Sequence, residues 1–389
     1  MTITPESGLI LAGMNRTSDV IVIGGGVIGL SVADALGREG LSVTLVERGL
    51  CGREASWASV GLLKPSNPNR RGPMQKLQRI SLEMMPDYCA DLREQTGIDP
   101  QYDRCRSIEL LFNDQRYRMA LSEEQAAQKM PDGRPEWQVL TPEQAREVEP
   151  CVSGDCLAAL LCRATAQVRN PRLLRALVAA CKSGQVRIQE NTPVRGLLIE
   201  ADRVTGVVTD RERFLADHVV LCAGAWSSQI DQRLGNTIRT YPVRGQVVLL
   251  NTADCPEARF THVIDRQGCY LVPRRDGLVL VGATVEPEAG YDRRNTPAAI
   301  SKLIQEALSL VPALAGAGVA ALWAGLRPGT PDRRPYVGTV PGLDGLVAAT
   351  GHYRTGLALA PITAEIVADL IVRGSSGRNL SLCLPGRPT

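Results

Sequence analysis

Asp19-Val-Ile-Val-Ile-Gly24-Gly25-Gly26-Val27-Ile28-Gly29-Leu30 decides how the rest of this chain is read. Asp19 to Ile23 is an apolar run without alternation, the pattern of a strand buried on both faces in a parallel sheet. Glycines at 24, 26 and 29 follow in G-x-G-x-x-G spacing, where the strand must give way to a helix. Gly24 permits a tight turn, Gly26 lets a diphosphate reach the backbone, and Gly29 lets helix and strand pack closely. The helix, predicted from about Ile28 to Arg38, aims the amides around Val27 and Ile28 and the positive end of its dipole at that diphosphate. A second strand, Ser42 to Val46, ends in Glu47, placed to accept hydrogen bonds from an adenosine ribose. Strand, glycine turn, helix and terminal acid together specify a site for an adenine dinucleotide.

At 389 residues the chain exceeds what one hydrophobic core usually supports, so two interleaved domains are expected. Its 44% hydrophobic and 22% charged residues are ordinary for a globular protein. The net charge of +3, without a basic run, gives no footprint for a nucleic-acid partner. No apolar stretch approaches the roughly 18 residues that span a bilayer, so no membrane partner is expected. Met1 to Ser18 holds an apolar patch, Gly8 to Gly13, without a basic region before it, and reads as a disordered leader rather than a signal peptide. Eleven cysteines with scattered spacings and no C-x-x-C pair read as reduced, buried residues in a cytoplasmic protein. Cys151, Cys156 and Cys162 have no histidine nearby, so no metal site is expected.

Small residues crowd Arg48 to Leu63, among them Ala55, Ser56, Ser59 and Gly61, which suits a backbone lying against a flat cofactor, with Leu62 at its end also a candidate contact; a flexible loop is the alternative on composition alone. Met74 to Thr96 reads as a long amphipathic helix, Ser107 to Asn113 as a strand and Asp114 to Met130 as a polar helix. Thr141-Pro142 starts a helix with Thr141 as cap, and Asn170-Pro171 opens another capped helix running to about Cys181. A strand from Gln185 to Ile188 and a two-stranded unit from Val194 to Asp210 follow. Asp217 to Cys222 then runs into Ala223-Gly224-Ala225-Trp226 and a helix, repeating the opening logic and bringing Ala223, Gly224 and Trp226 to the cofactor. Arg239 to Leu250 and Cys269 to Ala283 alternate as antiparallel strands of a second sheet, and Thr296 starts a helix to about Leu310. Strands near Tyr336 and Leu346, a last helix from Leu357 to Val372 and a loose tail complete the chain. The expected fold is α/β (α+β): a discontinuous Rossmann-like nucleotide domain from residues 18–75, 140–235 and 325–374, with an antiparallel-sheet substrate domain from 76–139 and 236–324 and tails at 1–17 and 375–389.

Five further blocks occur in order: Pro242-Val-Arg-Gly-Gln246, Tyr270-Leu-Val-Pro-Arg274, Gly282-Ala-Thr284, Gly325-Leu-Arg-Pro-Gly-Thr330 and Gly351-His-Tyr-Arg-Thr-Gly356. With the opening motif they make the chain, from about Ser18 to Gly374, resemble the FAD-dependent D-amino-acid oxidase superfamily, and within it the glycine oxidases associated with thiamine biosynthesis. The glycine motif alone does not separate NAD from FAD; the resemblance implies FAD. It implies that His352, Tyr353, Arg354, Thr355, Gly356 and Leu357 lie along the isoalloxazine with Arg327, that Val194 lies near the adenine, and that Arg48 and Glu47 line the nucleotide end. Sarcosine oxidases attach flavin to a cysteine near the last arginine block; residues 326–335 hold none, so a non-covalent FAD is expected.

For the substrate, a small amino acid, the resemblance assigns Arg327 to the carboxylate, the Tyr270 hydroxyl to the same group, and Arg354 to a place nearby. A guanidinium fork suits a carboxylate because it pairs with both oxygens. His352 is expected to pack or bond to its loop rather than act as a base. The implied reaction is hydride transfer from the α-carbon to flavin N5, giving an imine that water hydrolyses to a 2-oxo acid and ammonia or an amine (glyoxylate from glycine), while O2 is reduced to H2O2. Gly268 and Val285 stand where several glycine oxidases carry histidine and methionine, which leaves N-substituted glycines such as sarcosine, and larger D-amino acids, open beside glycine. A quinone acceptor stays open beside O2, and an NAD-dependent dehydrogenase and a non-catalytic or RNA-associated flavoprotein remain the other readings. A homo-tetramer is a further implication of the resemblance.

Overall fold

The computed structural model describes residues 16–129 and 136–388. The proposed leader therefore lies almost wholly outside the described residues, as does the end of the predicted Asp114 to Met130 helix, which is described over Asp114–Gln128. Strand Arg16–Ile23 pairs in parallel with Val43–Val46 on one side and Arg213–Leu221 on the other. Val186–Gln189 and Leu346–Thr350 extend the parallel sheet outward, and Tyr336–Thr339 closes it antiparallel. Both faces of the opening strand are covered, with Val20 and Val22 in one core and Ile21 and Ile23 in another, which is why the run carries no alternation.

A second eight-stranded sheet runs in the order Gly318–Gly329, Tyr241–Asn251, Leu278–Gly282, Cys269–Pro273, Val263–Arg266, Ser107–Leu111, Ala158–Cys162 and Trp137–Leu140. Helix Pro297–Leu310 covers one face through Leu303, Ala307 and Leu310. The other face looks toward the nucleotide half. Along it, Trp323, Val247, Gly282, Tyr270, Asp265 and Glu109 stand opposite one another from strand to strand.

Strand pairing and packing redraw the expected segment boundaries. Ala158–Cys162, placed with the nucleotide half in the sequence reading, hydrogen-bonds to Ser107–Leu111 inside the second sheet, and residues 325–329 end an edge strand of that sheet. The long helix Pro73–Thr96, expected in the substrate half, buries Met85, Cys89 and Leu92 in the core of the first sheet. Its apolar face matches that of the terminal helix Gly356–Val372, and Ser81 Oγ accepts from Ile362 N at 3.4 Å. An apolar stripe states that a helix is buried but not against which partner.

The expected helix caps divide. Thr141 forms a capping box with Gln144, whose backbone amide donates to Thr141 Oγ1 at 3.3 Å and whose side chain accepts from Thr141 N at 3.0 Å. Asn170 is not a cap: Arg169 takes that position, and the Asn170 amide donates to the carbonyls of Ser56 and Trp57 instead. After Arg213–Leu221 comes a short 3-10 turn, Gly224–Gln229, rather than an α-helix. The tail expected to be loose is also packed. Cys383 is buried and accepts at its carbonyl from Val337 N at 2.8 Å, while Arg387 pairs with Asp332 at 2.8 Å. All eleven cysteines are free thiols, and among the described residues no cluster could hold a metal ion and no helix is long and apolar enough to cross a membrane.

Candidate active site

A cavity of about 1090 Å³ runs from the opening glycine turn, between the two sheets, to the Tyr270 side of the second sheet. At its nucleotide end the three motif glycines divide the labour. Gly24 has a φ of +107°, and a Cβ there would lie 2.5 Å from the Cys222 carbonyl oxygen. Gly29 does not border the cavity; its Cβ would fall 1.9 Å from the Gly24 carbonyl oxygen, so its part in the site is to let helix and turn touch. Gly26 borders the cavity, and a Cβ there would meet only Ser56 Oγ, at 3.3 Å. The helix Val27–Arg38 begins here, with Ser56 Oγ accepting from Val27 N at 2.9 Å. Glu47, at the end of its strand, is 8% exposed; its carboxylate accepts from Gly25 N at 2.7 Å and Gly49 N at 2.9 Å.

The small-residue loop after Glu47 is an ordered wall. Ala55–Ala58 forms one helical turn, held by the Asn170 amide and by Trp323 Nε1 donating to the Ala58 carbonyl at 2.9 Å. Arg274 fastens the next residues, donating to the Val60 carbonyl at 2.8 Å and the Val168 carbonyl at 3.0 Å. Ala55, Ser56, Ser59, Gly61, Leu62 and Val194 all border the cavity, as do Ala223, Gly224 and Trp226. Arg48 stacks over the Trp226 ring at 3.5 Å and donates to Glu54 at 2.6 Å.

Arg327 and Arg244 sit on adjacent strands but in opposite electrostatic states. Arg244 is buried and saturated, donating to Glu286 at 2.6 Å and Asp292 at 2.9 Å. Glu286 also takes the Gln246 amide at 2.9 Å and the Thr284 hydroxyl, which fixes the Thr284 backbone. The Thr284 carbonyl in turn accepts from Arg327 Nη1 at 2.9 Å. Gly245 lies beneath that guanidinium, where a Cβ would come within 2.3 Å of it. Arg327 itself meets no carboxylate among the described residues. Burial pushes its guanidinium below the usual range, Tyr270 beside it acts in the opposite direction, and Arg354 adds to the lowering.

The segment after the last short strand places His352, Tyr353, Arg354, Thr355, Gly356 and Leu357 along the same cavity. Tyr353 adopts a left-handed φ of +49°, and its amide donates to the Pro328 carbonyl at 3.1 Å, which joins this loop to the arginine block. Arg354 is exposed and lies 5.4 Å over the Tyr353 ring. His352 is 3% exposed and bonds Thr363 Oγ1 at 3.1 Å, and burial holds its imidazole down to about 3. It is neutral and turned into the protein. Below its ordinary 6.5 the unfolded chain binds a proton that the folded chain refuses, so the stability this group contributes is lost as pH falls toward 3. The variant His352→Gln, which keeps a partner for Thr363, is expected to flatten the acid limb of a profile of unfolding free energy against pH, measured by denaturant titration, by up to about 1.4 kcal/mol per pH unit. Wild-type and variant profiles running parallel would contradict this.

Two sequence expectations need correction or extension. Val285 is 43% exposed and does not border the cavity, so it does not shape a substrate compartment; the strand Leu278–Gly282 has ended and the chain there has turned outward. Gly268 does border it. Beyond Tyr270 the cavity continues to Lys64, Asn67, Arg70, Gln78, Glu109 and Asp265, which the motif reading did not find. A signal was present: residues 64–79 hold five cations (Lys64, Arg70, Arg71, Lys76, Arg79) and no acid. A near-neutral whole-chain charge conceals such a local stretch.

A glycine cradle at a helix start, an open Gly26 face and a long groove ending at an unpaired guanidinium fit an elongated dinucleotide such as FAD with room beyond it. Comparison with known proteins agrees. A curated glycine oxidase from Pseudomonas aeruginosa is 40% identical over 90% of this chain and 94% of its own length. The crystal structure of glycine oxidase from Geobacillus kaustophilus superimposes with a TM-score of 0.90 at 31% identity, covering 96% of this chain and all of the other. Part of the bifunctional protein ThiO/ThiG of Nostoc is 34% identical over 94% of this chain, which spans 54% of that protein. The family model for FAD dependent oxidoreductases (DAO) matches residues 19–370, the span from the first buried strand to the last helix, and the chain belongs to that family.

Proposed function

We propose that this protein is an amino-acid oxidase acting on glycine or a related small amine-bearing carboxylate, with a dissociable FAD as cofactor. One observation carries the reading: Arg327 is half-buried, its Nη1 is fixed by backbone carbonyls, and no acid among the described residues neutralises it where it faces the cavity. A desolvated guanidinium in this state favours a carboxylate ligand, held through two parallel hydrogen bonds.

In this reading Gly24, Gly26 and the first amides of Val27–Arg38 hold the diphosphate, and the segment from His352 to Leu357 lines the ring end. When bound, FAD supplies the two-electron acceptor that O2 regenerates. The chain's own contribution is placement. Arg327 fixes the substrate carboxylate, the Tyr270 hydroxyl adds a hydrogen bond, and the Thr284 carbonyl keeps the guanidinium from turning. The neutral, inward-turned His352 takes no proton from substrate. The balance is amino acid plus O2 plus water giving 2-oxo acid, ammonia and H2O2. Glycine oxidases among the relatives support glycine as the first candidate.

The test is anaerobic bleaching of the reconstituted flavin by glycine, sarcosine, D-alanine, D-proline and longer N-alkyl glycines. Bleaching by at least one, with H2O2 on admitting air, is the expected result. Reconstituted protein that none of them reduces would overturn the proposal, and a colourless protein that takes up no FAD would overturn the cofactor assignment as well.

A further inference from the structure

The cavity does not stop at the residues that would hold a small amino acid. Asp265 stands directly across from Tyr270 on the neighbouring strand, and Glu109 directly across from Asp265 on the next, so both lie on the substrate side of the sheet. Adjacent strands are only about 4.8 Å apart, which makes this region the immediate continuation of the substrate compartment. The turn between the Asp265 and Tyr270 strands carries Gly268, which borders the same cavity and whose Cβ position has nothing within 4 Å. Lys64 enters from the opposite wall and pairs with Asp265, while Glu109 lies 4.0 Å from it.

The charges here are unequal in what they leave free. Glu109 is held by Arg116 through two hydrogen bonds of 2.7 and 2.8 Å, and Arg116 also binds Glu123 at 2.9 Å, behind the cavity wall. Asp265 takes one of the three N–H donors of Lys64 and leaves the others. Arg70 borders the cavity; its backbone amide donates to the Asn67 carbonyl at 3.0 Å, and its side chain has no hydrogen bond or ion pair among the described residues. Both cations belong to residues 64–79, and of the five positive charges in that stretch these two border the cavity, together with the acids Asp265 and Glu109. Asp265 and Glu109 are already paired, with Lys64 and Arg116, whereas Lys64 and Arg70 keep N–H donors without a partner, and such donors suit a carboxylate rather than an ammonium group.

We propose that the far end of the cavity is a second anion site, and that the preferred substrate is an amino acid carrying a second carboxylate, with Arg327 holding the α-carboxylate and Lys64 and Arg70 the distal one. The substrate assignment rests on the amino-acid oxidase reading above; the anion site does not. The holoenzyme is titrated with glutarate and with butyrate, which cannot be oxidised in this way, following the flavin absorbance. It is then reduced anaerobically with D-aspartate, D-glutamate and N-(carboxymethyl)glycine against D-alanine and D-lysine. Glutarate is expected to bind about tenfold tighter than butyrate, as one charge-assisted contact allows, with the advantage shrinking as salt is raised. Dicarboxylates are expected to reduce the flavin with about tenfold higher kcat/KM than D-alanine. Arg70→Gln, at an exposed residue whose side chain bonds to nothing among the described residues, is expected to diminish both ratios; Lys64→Gln should do so more strongly but leaves Asp265 facing Glu109. Equal binding of glutarate and butyrate, or an Arg70→Gln variant with both ratios intact, would overturn the anion site. D-alanine or D-lysine matching the dicarboxylates would overturn the substrate class. If no amine of any class reduces the flavin while glutarate still binds tighter, the oxidase reading falls and the anion site stands.

Discussion

Arg327→Ala is expected to reduce kcat/KM by about two to four orders of magnitude, equivalent to roughly 3–5 kcal/mol of transition-state binding. The flavin spectrum should be essentially preserved. The two halves of this expectation come from different contacts. The guanidinium is held by the Thr284 carbonyl at 2.9 Å and faces the cavity without an acid, so its removal costs a ligand contact and leaves a substrate carboxylate unpaired in a desolvated place. What fixes the surrounding strands is Arg244 with Glu286 and Asp292, which the substitution leaves alone. Lysine at 327 would restore the charge but not the fork, and is expected to recover only part of the loss. Measurement of kcat/KM beside the visible spectrum decides the matter: an unchanged rate, or a rate lost together with the flavin, would remove Arg327 from substrate binding.

Gly26→Leu is expected to give a folded protein that cannot retain FAD. The Cβ at this position has a single neighbour, Ser56 Oγ at 3.3 Å, and otherwise points into the space assigned to the diphosphate. The added side chain therefore competes with the cofactor rather than with the fold. Gly29→Ala offers the contrast. Its Cβ would lie 1.9 Å from a backbone oxygen that cannot move without shifting the turn, so this variant should lose melting temperature even in the apo state. Flavin absorbance after desalting, read beside apo-protein melting curves, separates the two. Gly26→Leu emerging yellow, or Gly29→Ala melting like wild type, would show that the glycines have been assigned the wrong tasks.

Much of the architecture was legible because its signals are local. An unalternating apolar run, a glycine turn and a terminal acid are close in sequence and close in space. Burial on both faces forces Asp19 to Ile23 to be apolar throughout, and the absence of a Cβ is the only solution at Gly24 and Gly29. What escaped was partnership across distance. Met85, Cys89 and Leu92 announce a buried face, yet only the folded chain shows that the terminal helix covers it. Asn170 has the composition of a cap and acts instead as a tie to Ser56 and Trp57, more than a hundred residues earlier. Arg327 is singled out in the sequence by resemblance alone; that Arg244 has its acids and Arg327 has none is a pattern only the folded chain displays. The Lys64 to Asp265 pair links residues two hundred positions apart and belongs to none of the five blocks.

The row from Trp323 through Val247, Gly282, Tyr270 and Asp265 to Glu109 takes one residue from each of six strands. The ladder hydrogen bonds that keep those strands in line are made by main-chain atoms, whichever side chains the row displays. Of the row, Val247, Tyr270, Asp265 and Glu109 border the cavity, so exchange at one of these four alters one patch of its wall while the main-chain ladder stays in place, and new substrate preferences can accumulate stepwise across the sheet without the scaffold being rebuilt.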